Sequence, residues 1–199
     1  MTIDTIILDI GGVLTEGADR RQMFKSLALP YGESEREVWK DYRVGKIGEL
    51  QYFGRVLAQT PFAGQEKGYA ARARDFWKHI PEGFALRYLE PLKRSGYRLG
   101  ILSNHSREWG QLVVETHKLH KYCKPILISA AIGVAKPDAK AFERAAADVG
   151  CARSPASCLF LDDQFENIVA ARAIGMKATR VSDAETMDNA LRDYGIHLK

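Results

Sequence analysis

Residues 3–14 read IDTIILDIGGVL, and this stretch decides the fold. Ile3 to Leu8 is a short apolar run rich in β-branched residues, closed by Asp9 and then by Gly11-Gly12. That pattern predicts a buried strand ending in a tight turn. A strand without a polar face belongs inside a sheet covered by helices on both sides.

Beyond the turn the texture becomes helical. From about residue 15 to 81 no strand pattern occurs, and periodic segments predict helices over 22–29, 35–42, 49–58 and 65–79. Ser34-Glu35-Arg36-Glu37 reads as a capping box for the second of them. After Pro81 strands and helices alternate. Helices are predicted over 83–94, 106–117, 139–149 and 165–174, and strands over 97–102, 125–128, 158–161 and 177–181. Pro137 marks one helix start, Gly175 one helix end, and Ser182-Asp183-Ala184-Glu185 reads as a capping box for a last helix. Alternation of this kind predicts an α/β fold, a doubly wound parallel sheet with right-handed crossovers. The all-helical stretch then becomes a small cap inserted after the first strand. We expect a Rossmann-like core over 1–15 and 82–199 and a cap over 16–81.

The chain has 199 residues, 46% hydrophobic and 27% charged, enough for one globular unit with an insertion. The composition excludes disordered, collagenous and disulfide-scaffold classes. No apolar run approaches the roughly 18 residues of a membrane helix. The first residues lack a basic leader, so a cytoplasmic protein with no membrane partner is expected. Cys123, Cys151 and Cys158 show no metal-ligand spacing and read as buried thiols. A net charge of +4 from scattered cations favours small anions over nucleic acid.

In an open parallel sheet, ligands bind beyond the carboxyl ends of the strands. Here those ends carry Asp9, Ser103-Asn104 and Asp162-Asp163, with Lys136 in a helix-opening loop. Each has an ordinary structural account. Asp9 suits a turn beside glycines, Ser103-Asn104 suits a turn or an N-cap, and Lys136 alone suits a solvated surface. Asp163-Gln164-Phe165-Glu166 fits a capping box. Asp162, ending an apolar strand, has no such account. Together, two acidic groups, a hydroxyl and an ammonium around one crevice suit a phosphoryl group and a divalent metal.

The motifs IILDIGGVL (6–14), ILSN (101–104), VAKPD (134–138) and LFLDDQFEN (159–167) stand in an order that resembles the haloacid dehalogenase (HAD) superfamily of phosphatases. The resemblance spans essentially the whole chain, including the helical insertion. It implies that Asp9 is a nucleophile forming an aspartyl-phosphate. It implies Mg2+ held by Asp9, the backbone carbonyl of Gly11, and Asp163. Ser103 and nearby backbone N–H groups are expected to hold phosphate oxygens, Asn104 to orient a phosphate oxygen or the loop, and Lys136 to offset charge. Asp162 and Asn167 are expected to orient the ligands, with pairing of Asp162 to Lys136 left open.

One position departs from the pattern. Many phosphatases of this superfamily carry an acid-base aspartate two residues after the nucleophile, and here Gly11 stands there. The D-x-G-x-V motif is similar to that of small sugar-phosphate phosphatases, which implies a phosphorylated small-molecule substrate, most simply a sugar phosphate. Two alternatives remain open: a catalytically weak phosphate-binding or regulatory protein, and a 2-haloacid dehalogenase. His105 is a candidate replacement proton donor. In the cap, Trp39, Tyr42, Tyr52, Phe53, Phe76 and Trp77 suit either a pocket lining or the cap's own core. Arg20, Arg21, Arg43 and Lys46 suit either anion steering or a solvated surface. The substrate's identity and the oligomeric state are not encoded in these patterns.

Overall fold

A computed structural model describes residues 2–17 and 20–199. Met1 of the expected core and Ala18 and Asp19 of the expected cap lie outside the described residues. Five strands, β1 (Thr5–Leu8), β2 (Arg98–Ser103), β3 (Ile126–Ile128), β4 (Cys158–Asp162) and β5 (Lys177–Arg180), form one sheet in the order β3-β2-β1-β4-β5. All neighbouring pairs are parallel. The chain builds outward from β1 to β3, then returns to the other side of β1 for β4 and β5. The order therefore reverses between β1 and β4, which opens a crevice at their carboxyl ends.

The apolar run of β1 has its reason in this position. Ile6 and Leu8 join one buried cluster and Ile7 joins the other. In β4, Leu159 and Leu161 face the first cluster while Phe160 faces the second. Successive side chains point to opposite faces, and both faces are covered.

Among the described residues, four helices, α1 (Arg20–Ser26), α2 (Glu33–Tyr42), α3 (Glu49–Leu57) and α4 (Glu66–Lys78), fill the insertion. The core supplies α5 (Leu89–Arg94), α6 (Arg107–Thr116), α7 (Ser129–Ile132), α8 (Ala139–Asp148), α9 (Phe165–Ala173) and α10 (Ala184–Asp193). Trp109 of α6 is fully buried and stacks against both Trp39 of α2 and Trp77 of α4, at centroid distances of 5.8 and 5.6 Å. Tyr42, Tyr52 and Phe53 pack around the same indole. A core tryptophan thus anchors the helical insertion.

Several local expectations are corrected. The box at Ser34 is not made, because α2 starts at Glu33 with Gly32 as its N-cap and no side chain capping it. Glu35 instead turns inward and is 4% exposed. The last helix does carry a box, one residue later than expected, between Asp183 and Thr186. The helix expected from residue 83 is shorter. Gly83 donates to the Leu14 carbonyl at 2.9 Å, which ties this segment to the loop after β1, and α5 begins only after a 3-10 turn at Leu86–Tyr88. Pro137 lies ahead of its helix, since Asp138 is the N-cap and accepts the Lys140 N–H at 2.9 Å. The three cysteines are free and buried. Among the described residues, no helix is long and apolar enough to cross a membrane.

Candidate active site

Backbone pairing carries Asp9 to the crevice. Its N–H donates to the Leu161 carbonyl at 2.9 Å, extending the β1–β4 ladder by one residue and setting Asp9 beside Asp162. Lys136 arrives from the loop between α7 and α8. Its ammonium, 1% exposed, lies 3.0 Å from Asp9 Oδ1 and 2.5 Å from Asp162 Oδ2.

Asp162 is occupied entirely by the protein. Besides Lys136 it accepts the Gln164 N–H at 2.8 Å and the Asn167 amide at 2.9 and 3.0 Å. A buried carboxylate needs this much compensation to stay charged. Asn104 is equally committed: its Nδ2 donates to the Lys136 carbonyl and its Oδ1 accepts the Lys136 N–H, both at 2.8 Å. The strand-end Asn104 therefore clamps the backbone that delivers the lysine.

Asp9 is 5% exposed, and its Oδ1 also accepts the Ile10 N–H at 2.7 Å. Burial pushes its carboxyl up to about 6, Lys136 opposes the rise, the Asp162 charge adds to it, and Ser103 favours the ionised form. The ammonium of Lys136 at 3.0 Å is the contact that most favours its ionised form. Burial disfavours the Lys136 charge, yet Asp9 and Asp162 hold its pKa above the ordinary lysine value.

Asp163 is only partly buried, and burial followed by the Asp162 charge raises its pKa. It does not cap α9, whose N-cap is Gln164 without a side-chain bond. Its Oδ1 is buried with no partner among the described residues. Carboxylate oxygens of Asp9, Asp162 and Asp163 lie within 4.8 Å of one another. An orphaned buried oxygen beside a second ionised carboxylate fits a small hard cation such as Mg2+. Since Asp162 is already saturated, Asp9 and Asp163 are the carboxylates left to hold one.

These groups face a cavity of about 420 Å³. Asp9, Gly11, Ser103, Asn104, Lys136, Asp163 and Asn167 line it from the sheet side. Arg20, Tyr31, Trp39 and Trp77 line it from the insertion. The cap candidates therefore separate. Tyr42, Tyr52 and Phe53 are core, whereas Trp39 and Trp77 serve both core and cavity. Phe76 packs only at the cluster's margin. Arg21 and Lys46 are exposed, Arg43 is half-buried without lining the cavity, and Arg20 reaches it.

His105 also lines the cavity, 6% exposed, with its ring edge-on to Trp77 at 4.6 Å and Nδ1 without a partner among the described residues. Burial, and secondarily Arg20, push its pKa down to about 4, so the ring is neutral at pH 7. Sequence reading missed Tyr31, Glu35 and Trp109. For Glu35 a signal existed: it stands at i, i+4 and i+7 with Trp39 and Tyr42 and so shares their buried face.

A model of haloacid dehalogenase-like hydrolases matches residues 3–175. Phosphatase MT3486 of Mycobacterium tuberculosis is 30% identical, over 97% of this chain and 94% of its own length. Sesquiterpene phosphatase astK of Aspergillus oryzae is 27% identical, over 92% of each chain. Among solved structures, a HAD family enzyme of Bacteroides thetaiotaomicron in complex with magnesium and inorganic phosphate aligns at TM-score 0.73 and 20% identity, over 92% of this chain and 96% of its own. Solved dehalogenases share the fold at TM-scores of 0.65 and 0.66.

Proposed function

The chain is a hydrolase of the haloacid dehalogenase-like family, and on that premise we propose that it is a Mg2+-dependent phosphomonoesterase acting on a small phosphorylated metabolite. One observation carries this reading: Asp9, 3.0 Å from the Lys136 ammonium, shares a cavity with Asp163, whose Oδ1 has no partner among the described residues. The relatives named phosphatases support the reaction class.

Asp9 attacks phosphorus as the ester P–O bond breaks, giving an aspartyl-phosphate and the freed alcohol. Water then attacks the same phosphorus, the P–O bond to Asp9 breaks, and inorganic phosphate leaves. Splitting one hard displacement into two is the gain of a covalent nucleophile. Lys136 offsets the repulsion between two anions and the charge of the transition state. Ser103 lines the cavity at the end of β2 and supplies a hydroxyl for a phosphate oxygen. Asn104, Asp162 and Asn167 position Lys136. When bound at Asp9, the Gly11 carbonyl and Asp163, Mg2+ supplies charge neutralisation at the phosphoryl group. The core over 1–15 and 82–199 carries this machinery, and the cap over 16–81 walls off the cavity.

The D-x-G-x-V motif supports a sugar phosphate as the substrate class. It also favours the competing reading, a phosphate-binding protein of weak activity, because Gly11 offers no proton. A phosphate-release screen over sugar phosphates, nucleotides and acyl phosphates, with and without Mg2+, separates the two. Metal-dependent release supports the phosphatase, and binding without release supports its rival.

A further inference from the structure

Across from the carboxylates, the insertion brings fixed hydrogen-bond donors to the cavity. Arg20 is fixed by three contacts. Its Nε donates to Glu35 Oε1 at 2.9 Å, its Nη2 donates to the Tyr31 hydroxyl at 3.3 Å, and its guanidinium lies 4.0 Å above the Trp39 ring. Glu35 is itself buried and also accepts the Tyr52 hydroxyl at 2.6 Å. None of these contacts uses Nη1. Trp77 lines the same cavity, and its buried Nε1 has no acceptor among the described residues.

A carboxylate buried beneath a packed aromatic cluster is costly unless it organises something. Here it holds one arginine that lines the same cavity as Asp9. The Nη edge of a guanidinium matches a planar carboxylate bidentately. Glu35 already offsets most of the arginine's charge, which suits a monoanion better than a dianionic phosphate. Among the described residues, no acidic side chain lines this wall of the cavity, and Trp77 Nε1 calls for an acceptor there.

The geometry points to a substrate whose leaving group carries a carboxylate, a phosphorylated hydroxy acid or sugar acid, with Arg20 as its specificity-determining residue. This inference rests on the phosphatase reading and narrows it. Arg20 binds the carboxylate while Asp9 attacks the phosphate at the other end, so substrates must present both groups. The rotationally stiff aromatic setting of Arg20 lowers the entropy lost on binding.

The test uses the full chain with Mg2+ and pairs differing only in a carboxylate against a hydroxymethyl group. These are 3-phosphoglycerate against glycerol 3-phosphate, and 6-phosphogluconate against sorbitol 6-phosphate. Fructose 1,6-bisphosphate against fructose 6-phosphate tests a second phosphate, and p-nitrophenyl phosphate reports the phosphoryl chemistry alone. In at least one carboxylate pair, the acid is expected to have a tenfold or larger advantage in kcat/KM, mostly through KM. Arg20→Gln strands a buried charge on Glu35, so the variant carrying both Arg20→Gln and Glu35→Gln is made beside it. Both should lose the preference, Arg20→Lys should lose most of it, and Arg21→Gln should keep it.

Equal rates within both carboxylate pairs, a preference only for the bisphosphate, or a preference that survives loss of Arg20 would each overturn the inference while p-nitrophenyl phosphate turnover leaves the phosphatase reading standing. No release from any compound would overturn both.

Discussion

The carboxylate of Asp163 occupies the space that a side chain at Gly12 would need. Gly12 has φ +73°, and a Cβ built on it would sit 2.6 Å from Asp163 Oδ2. Gly11 next to it is the opposite case, with no left-handed backbone and nothing within 4 Å of a built Cβ. Two adjacent glycines thus do different work. Gly12→Ala should displace Asp163 and add strain in the left-handed region. We expect the Mg2+ concentration for half-maximal activity to rise at least tenfold. Metal titration of activity checks this, and an unchanged midpoint in a folded variant contradicts the placement of Asp163.

Gly11→Asp should fold, given the open space there. Without a carboxyl group at this position the leaving oxygen departs with little proton assistance, a service typically worth about 10²–10⁴-fold. Wild-type enzyme should therefore favour aryl, acyl and anomeric phosphates over primary alkyl phosphates. Gly11→Asp should raise kcat/KM for alkyl more than for aryl substrates. An unchanged ratio in folded, metal-binding protein would mean that another group donates, with His105 the first to mutate.

Asn104→Ala removes both bonds that hold the Lys136 backbone. The account expects kcat to fall on the order of 10–100-fold with little change in KM, and roughly 1–3 kcal/mol of stability to be lost. Kinetics and denaturant melts on one preparation measure both. A loss confined to KM would instead place Asn104 on the substrate.

His105 gives a pH signature of its own. Its folded-state pKa of about 4 lies below the ordinary 6.5, so the unfolded chain binds the proton more readily. Its effect is absent above pH 6.5, and destabilisation grows as pH falls toward 4. The full loss is roughly 3 kcal/mol at most. His105→Gln should flatten this part of the stability–pH curve. An unaltered slope would mean that the ring titrates normally.

Most of the residues that gather at the cavity were legible in the sequence because strand ends are easy to find. Apolar runs that stop at Asp9, Ser103 and Asp162 place those residues together once the sheet is parallel. Local chemistry could not separate Asp162 from Asp163, since saturation of one by Lys136, Asn167 and a backbone N–H is a tertiary fact. The insertion was read less well for the same reason. Ser34-x-x-Glu37 satisfies the local rule for a capping box, which leaves Glu35 looking like an exposed first-turn residue, and only the packing of Trp39, Tyr42 and Tyr52 against distant Trp109 turns that face inward. Likewise the four cap cations look alike in sequence, and only contacts to Glu35 and Tyr31 single out Arg20.

Carbon–halogen displacement makes a contrary demand on the site. A metal-free mechanism gains nothing from Asp163 with its orphaned oxygen, so 2-chloropropionate should yield no halide with or without Mg2+. Halide release at a rate matching the best phosphate ester would reverse the choice of reaction.

Capture of the covalent intermediate tests the central claim most directly. Enzyme turning over a phosphate ester with Mg2+ is quenched in acid, digested and weighed by mass spectrometry. The account predicts one added phosphoryl group on the peptide carrying Asp9, absent from Asp9→Asn, which should also lose turnover by at least about 10³-fold. Phosphate release by Asp9→Asn within tenfold of wild type, or a phosphoryl group on any other residue, would contradict it.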